Sequence, residues 1–504
     1  MKLKSLKLSY FLKKELLVLY VIILVGSFLR LQGVLTNSFA FTYDVGRDML
    51  ALWNIAYLHK VPLIGATTGL SGIFYGPWWY YMLTPFFIIF SGSPQGIALT
   101  MSLVGILTIM SGFILGKKIE GSFLALLISS IISVSPVMVF LSSQIWSPNI
   151  VPLFVVLVLL VLLKIYLPGK KNKSKYYFLL GLILSLIIDL EIVFGFLISI
   201  GIILSVIFTV KRKISIKSIF YFTFGGLIIL APRIFFEIRH QFIMTKSFIN
   251  FFWSGNSSHG VSAVLDTLIS RLNILFDQFT STLAAENKFI GLAILLFISF
   301  TFLFLYRKTD VLIKNFINTS VIVIATFLLG TIFFSHDVWP HYLVGIPVFY
   351  ILLFSISLYL LSKKLSNNLV SALILLIVVV INLSPVNLIQ SLNRPLWEGD
   401  AAVYRNQLAV IDYIYSDANG RKFKYIVYTP PVHDYTYQYL FKWYGPKKYN
   451  YLPSSQANLA YFVLEPDIQY PSRLIDWLKQ RRADGKVIKS KTVRGGIVVQ
   501  TRTH

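Results

Sequence analysis

Residues Phe39 to Tyr81 read FAFTYDVGRDMLALWNIAYLHKVPLIGATTGLSGIFYGPWWYY and follow the first long apolar run of the chain. Asp44 and Asp48 are four residues apart, so a helix projects both carboxylates from one face with Arg47 beside them. An ionisable cluster at the mouth of an apolar domain is costly to keep, because burial disfavours charge unless a partner offsets it. Such a cluster marks a candidate functional site, and the competing reading is a helix end neutralised by its own ion pairs.

The rest of the chain defines what surrounds that cluster. Of 504 residues 56% are hydrophobic and 13% charged, with a mean hydropathy of +0.72, against about a quarter charged in an average soluble domain. The composition is that of a multi-pass membrane protein. The formal net charge of +25 falls in short clusters between apolar runs, which excludes the one-sided basic face of a nucleic-acid binder. The chain contains no cysteine, which removes disulfides, thiol nucleophiles and thiolate metal sites. The first apolar run, about 16 to 31, is followed by no small-residue cleavage site and reads as a retained anchor.

Lys2, Lys4, Lys7, Lys13 and Lys14 precede that run, so the positive-inside rule predicts a cytoplasmic N-terminus and a first outer loop over 34–94. Pro77 to Phe90 is short of the roughly 20 residues a spanning helix needs and opens with WWYY, which predicts an interfacial or re-entrant helix. Further apolar runs lie at about 95–115, 122–141, 150–167, 176–191, 192–210, 218–234, 288–306, 312–334, 342–361 and 369–385, giving about eleven spans. Alternate junctions are basic: Lys117/Lys118; Lys164 with Lys170, Lys171, Lys173 and Lys175; Lys211, Arg212, Lys213 and Lys217; Arg307/Lys308; Lys363/Lys364. The others are SSQIWSPNIVP, IDLE, PRIFFEIRHQF and SHDVWPHY, which the alternation places outside with the Asp44 loop. The membrane part thus covers residues 1–389. After a Pro-containing linker, LNRPLWEGD, residues 390–504 read as a small extracytoplasmic α/β domain: a helix at 401–417, the strand KFKYIVYTP, the helix DYTYQYLFKWYG, the strand LAYFVLEPD, the helix PSRLIDWLKQRR, and a hairpin of GKVIKSKTV with GGIVVQTRT.

The outer side therefore collects the carboxylates Asp44, Asp48, Asp189, Glu191, Glu237 and Asp337, the cations Arg47, Lys60, Arg233 and Arg239, and the imidazoles His59, His240, His336 and His341. That mixture suits group transfer from an anionic lipid-borne donor, such as a sugar on a polyprenyl phosphate. Arg or Lys would meet the departing phosphate, and a carboxylate would take the proton of an acceptor hydroxyl.

In order along the chain, YDVGRD, VPLIG, FYGPWWYY, WSPN, APRIFFEIRH, HYLVGIPVF and DANGRKFKYIVYTP resemble the membrane glycosyltransferases of the GT-C fold. The resemblance is to bacterial glycosyltransferase family 39, related to dolichyl-phosphate-mannose-protein mannosyltransferases. It implies that Asp44 is the catalytic aspartate, that the donor is a lipid-phosphate sugar and that the reaction inverts. The chain departs from the protein-mannosyltransferase Asp-Glu pair in having Val45, which leaves Asp48 to supply a second acid.

The site expected from the sequence has Asp44 and Asp48 as catalytic carboxylates, Arg47, Lys60, Arg233, Arg239 and His240 at the donor phosphate, and Tyr75, Tyr80, Tyr81, Glu237 and His341 at the substrates. The acceptor would be a lipid, glycan or protein hydroxyl. The alternative to a transferase is a transporter or flippase of lipid-linked saccharides. No cofactor is firmly indicated; a divalent cation is compatible with the spacing of His336, Asp337 and His341. Bland expectations accompany these: Glu237 pairing with Arg233, Asp189 and Glu191 at a solvated hairpin tip, Trp78 to Tyr81 as an interface belt, and Asn149 as a helix cap.

Overall fold

The computed structural model describes residues 2–168, 173–210, 214–253, 261–332, 337–384, 400–430 and 433–503. The linker stretch 392–399, several lysines of the basic junctions (Lys170, Lys171, Lys211, Lys213) and His336 lie outside the described residues.

All eleven apolar runs are helical. They are α1 (Lys2–Leu35), α4 (Pro94–Glu120), the pair α5 (Ser122–Val134) and α6 (Pro136–Ser143), α7 (Val151–Tyr166), α8 (Ser174–Leu190), α9 (Ile192–Thr209), α10 (Ile216–Arg239), α13 (Lys288–Leu305), α14 (Val311–Ile332), α15 (Ile346–Leu365) and α16 (Leu369–Asn382). Eight described helices are long and apolar enough to cross a membrane, and the α5–α6 pair, bent by 59°, makes up to nine. With 17 and 14 residues, α8 and α16 reach only about 26 and 21 Å at 1.5 Å per residue. The ends of α4 carry start and stop signals: the Ser93 hydroxyl accepts from the Gly96 N–H ahead of Pro94, and Gly121, at φ +94°, ends the helix.

The α5–α6 run, expected as one span, is broken at Ser135–Pro136. Proline removes a ladder donor and forces the preceding residue out of the helical region, and Ser135 sits at φ −56°, ψ 123°. The buried Arg30 guanidinium of α1 donates to carbonyls near the break: Nη2 to Ile132 O at 2.9 Å and Nη1 to Ser133 O at 2.9 Å. Elsewhere α8 and α10 approach through glycine, since a Cβ on Gly181 would strike the Phe222 carbonyl and one on Gly225 the Phe178 carbonyl.

Two of the basic junctions, Lys117/Lys118 and Lys363/Lys364, come together at one end. Lys117 pairs with Glu15 at 2.7 Å, Lys363 with Asp310 at 2.8 Å, and the Tyr359 hydroxyl donates to Glu120 at 2.9 Å. The opposite end carries the first outer loop, built of α2 (Tyr43–Leu58) and the 12-residue α3 (Trp78–Ile89). Two further helices, α11 (Ile243–Trp253) and α12 (Val261–Leu283), occupy a stretch to which the sequence reading assigned no element.

Residues from 400 onward build a four-stranded sheet of order β1-β2-β4-β3, with β1 (Phe423–Tyr428) parallel to β2 (Leu459–Leu464) and β4 (Val498–Thr503) antiparallel to both β2 and β3 (Lys486–Thr492). Helices α17 (Tyr404–Ala418), α18 (Tyr435–Tyr449) and α19 (Pro471–Gln480) complete it. This unit docks on the first outer loop. Phe41 N–H donates to Ala402 O at 2.7 Å and Tyr404 N–H to Phe39 O at 3.0 Å. A Cβ on Gly46 would run into the backbone of Tyr435 and Thr436.

Candidate active site

The helix α2 places Asp44 and Asp48 on one face, as their spacing requires, but gives them different surroundings. The Asp44 side chain is 32% exposed and that of Asp48 4%. Arg47 lies between them: Nη1 donates to Asp44 Oδ1 at 2.7 Å, and Nη2 and Nε to Asp48 Oδ1 at 2.9 and 3.1 Å. Asp48 also accepts from Trp79 Nε1 at 2.9 Å and from the Tyr80 hydroxyl at 3.0 Å. Burial pushes the Asp48 carboxyl above its usual range, opposed by Arg47, Trp79 and Tyr80. Burial alone would lower the Arg47 pKa; the charges of Asp48, Tyr80 and Asp44 raise it instead, so the guanidinium stays charged. Trp79 and Tyr80 are therefore buried carboxylate ligands, which corrects the reading of WWYY as an interface belt. Trp78 Nε1 donates to Ile229 O at 2.7 Å and the Tyr81 hydroxyl to Pro62 O.

Asp44 lines a cavity of about 670 Å³. One wall is apolar, from Pro136, Val137, Phe140 and Leu141 of the broken helix; the other walls bring Gln144, Trp146, Asn149, Gln278, Ser281, Glu286 and His341. His341 packs edge-on against Trp146, with ring centroids 4.9 Å apart. Asn149 does not cap α7: it sits in a 3₁₀ turn, Ser147–Ile150, and its amide donates to Gln144 O at 3.3 Å. Of the residues expected at the site, Asp44 and His341 line this cavity; Asp48, Arg47, Lys60, Arg233, Arg239, His240, Tyr75, Tyr80, Tyr81 and Glu237 do not. None of the lining residues is Lys or Arg.

Asp189 and Glu191 are fully buried, not at a solvated tip. The turn between α8 and α9 is roofed by the outer loop: Asp189 accepts from Trp78 N–H at 3.0 Å and lies 3.5 Å from Arg233, while Glu191 accepts from the Tyr75 hydroxyl at 3.2 Å. A side chain at Gly76 would collide with the Asp189 carboxylate, so glycine is required there. Burial, then the neighbouring carboxylates Glu191 and Asp44, hold the Tyr75 phenol far above its usual range. Glu237 feels the charge of Arg233 without an ion-pair contact to it, and its oxygens accept from Met244 and Thr245 N–H at the start of α11 at 2.8 and 2.9 Å. His240 stacks on Phe236, Arg239 is exposed at the end of α10, and Lys60 is exposed beyond α2. Among the described residues no three His, Asp or Glu side chains are grouped to hold a metal ion.

Among solved structures, ArnT from Cupriavidus metallidurans, crystallised bound to undecaprenyl phosphate, matches with a TM-score of 0.60 at 12% identity over 98% of both chains. The chain has the GT-C fold. The Archaeoglobus fulgidus oligosaccharyltransferase, solved with zinc and sulfate, matches with a TM-score of 0.44 at 14% identity over 86% of this chain and 62% of its own. The same enzyme tethered to an acceptor peptide matches at 0.45 and 15%, over 84% and 59%. This chain thus spans about three-fifths of that enzyme's length. No protein-family model and no curated protein matches the sequence. Within the GT-C fold the outer-loop helix, the broken helix and the turn after α12 surround the cavity that Asp44 lines.

Proposed function

We propose that the protein is an inverting glycosyltransferase that moves a hexosyl or pentosyl unit from a polyprenyl-phosphate donor to an acceptor hydroxyl at the outer face of the cell membrane. The observation that carries this reading is Asp44, a half-buried carboxylate opening onto a cavity with one apolar wall. An isoprenoid chain would lie on the α6 wall. The acceptor oxygen attacks the anomeric carbon, its proton passes to Asp44, and the carbon–oxygen bond to phosphate breaks with the electron pair leaving on the phosphate. A single displacement of this kind inverts the centre.

Arg47, in direct contact with Asp44, is the cation best placed to meet the leaving phosphate. Asp48 fixes Arg47 from behind. ArnT, with which this chain shares its fold, was crystallised with undecaprenyl phosphate, which supports a lipid-phosphate donor here. The motifs from YDVGRD to HYLVGIPVF support a family 39-like, mannosyltransferase-related specificity. The alternating basic junctions support a cytoplasmic N-terminus, with residues 1–389 as the transferase domain and 390–504 as an outer domain.

The test is transfer from radiolabelled polyprenyl-phosphate sugar in membranes carrying wild-type or Asp44→Asn protein. Loss of at least a hundredfold in product with the protein intact is expected, and unchanged transfer rejects the assignment. Relocation of the labelled lipid across the bilayer without turnover identifies a flippase instead.

A further inference from the structure

The cavity beside Asp44 is one-sided in chemistry. Opposite the apolar α6 wall stand Gln278 and Ser281, three residues apart on one face of α12, followed by Glu286 in the turn to α13. Glu286 is exposed into this space, and it enters through two successive left-handed residues, Ala285 at φ +47° and Glu286 at φ +68°. Neither is glycine, so the turn holds a backbone that side-chain-bearing residues avoid. Buried donors fix the approach to it. Ser135 Oγ, at the α5–α6 break, donates to Thr282 O at 2.9 Å, and Asn382 Nδ2 of α16 donates to Leu283 O at 3.2 Å.

We infer that Glu286, with Gln278 and Ser281, is the acceptor subsite, and that it takes an uncharged polyhydroxylated acceptor, a sugar unit, in preference to a phosphorylated one. This rests on the transferase reading above. The donor's lipid requires the apolar wall and its phosphate is repelled by a carboxylate that meets no cation among the described residues, so the Glu286 side is left to the second substrate. A carboxylate accepts hydrogen bonds from two neighbouring hydroxyls of a sugar ring, and a hydroxyl and an amide beside it add both donor and acceptor capacity. With Asp44 and Glu286 as its charged lining residues and no Lys or Arg in the lining, the cavity disfavours a second anion.

The experiment uses the full-length protein in membrane vesicles with polyprenyl-phosphate sugar as donor, and methyl glucoside or glucose 6-phosphate as acceptor probes. Release of sugar to water is measured in parallel. Wild type should prefer methyl glucoside at least tenfold in kcat/KM. Glu286→Gln should raise the KM for methyl glucoside at least tenfold and narrow the preference. Glu286→Gly, which relieves the left-handed position, should melt at or above the wild-type temperature and lose acceptor use equally, separating recognition from folding. An unchanged KM in Glu286→Gln, no preference between the probes, or donor turnover with neither probe accepted overturns the inference. Absence of any donor turnover in wild type overturns the transferase reading itself.

Discussion

Asp48 carries more hydrogen bonds than Asp44 and less exposure, and that difference assigns them separate work. Its two oxygens hold Arg47, Trp79 and Tyr80 together, so Asp48→Ala strands a guanidinium, an indole N–H and a phenol in a buried site. Breaking a buried charged pair by removing one partner costs about 3–5 kcal/mol. A fall in melting temperature of several degrees in detergent is expected for Asp48→Ala, whereas Asp44→Asn should melt within a degree or two of wild type. The i, i+4 spacing made the pair visible in the sequence. That Asp48 would be buried was not visible, because the groups that cover it lie some thirty residues further on. Glu465, after β2, offers a pH test: burial, against the Tyr437 hydroxyl that donates to it at 2.9 Å, pushes its carboxyl from 4.5 to about 7. The folded state then holds a proton that the unfolded chain has released, so stability is lost as pH rises from 4.5 to about 7, by about 3 kcal/mol at most. Glu465→Gln should flatten that slope in unfolding of the full-length protein measured at pH 5 and pH 8. An unchanged slope would contradict it.

Among the elements, the broken helix is decisive, since α6 furnishes the apolar wall of the cavity while its break is held by a residue outside that cavity. Arg30→Met removes the side-chain donors to the Ile132 and Ser133 carbonyls at the break, while the Gly26 carbonyl keeps its bond within α1. Unsatisfied buried carbonyls cost about 1–3 kcal/mol each. Lower stability and transfer reduced about tenfold or more are expected, although Arg30 does not itself line the Asp44 cavity; transfer at the wild-type rate would show that the break needs no such support. Pro136 announced the bend, but a run of apolar residues on both sides disguised it as one span. The opposite case is α12, where Leu265, Leu268, Ile269, Leu272, Leu275, Phe276 and Phe279 recur at three- and four-residue steps. That periodicity is present in the sequence, but Asp266, Arg271 and Asp277 interleaved with it keep the stretch from standing out as an apolar run. The strands and helices of the last hundred residues were legible because turn residues such as Asn419 and Gly420 separate short, clearly patterned segments.

For the whole molecule, sidedness follows from the ends at which charges collect, and the absence of cysteine makes it directly measurable. Lys364→Cys lies at the end where Lys363 meets Asp310, and Ile468→Cys on the sheet domain, where the isoleucine is 86% exposed. In intact cells a membrane-impermeant maleimide should label Ile468→Cys and spare Lys364→Cys until the cells are opened; the reverse pattern would invert the proposed topology. The docking of the sheet domain on the first outer loop is the contact that joins the two halves of the chain. Trp443 Nε1 donates to Ser91 O at 2.8 Å, the Tyr439 hydroxyl to Gly92 O, and Lys442 lies over Trp53 at 4.9 Å.

The close seat of α18 against Gly46 also orders events in time. Ribosomes deliver the Asp44 helix among the first sixty residues, yet the surface that clamps its other face is synthesised almost four hundred residues later. A nascent or prematurely terminated chain would therefore hold Asp44 on an unsupported helix, and the proposed site would be complete only as translation finishes.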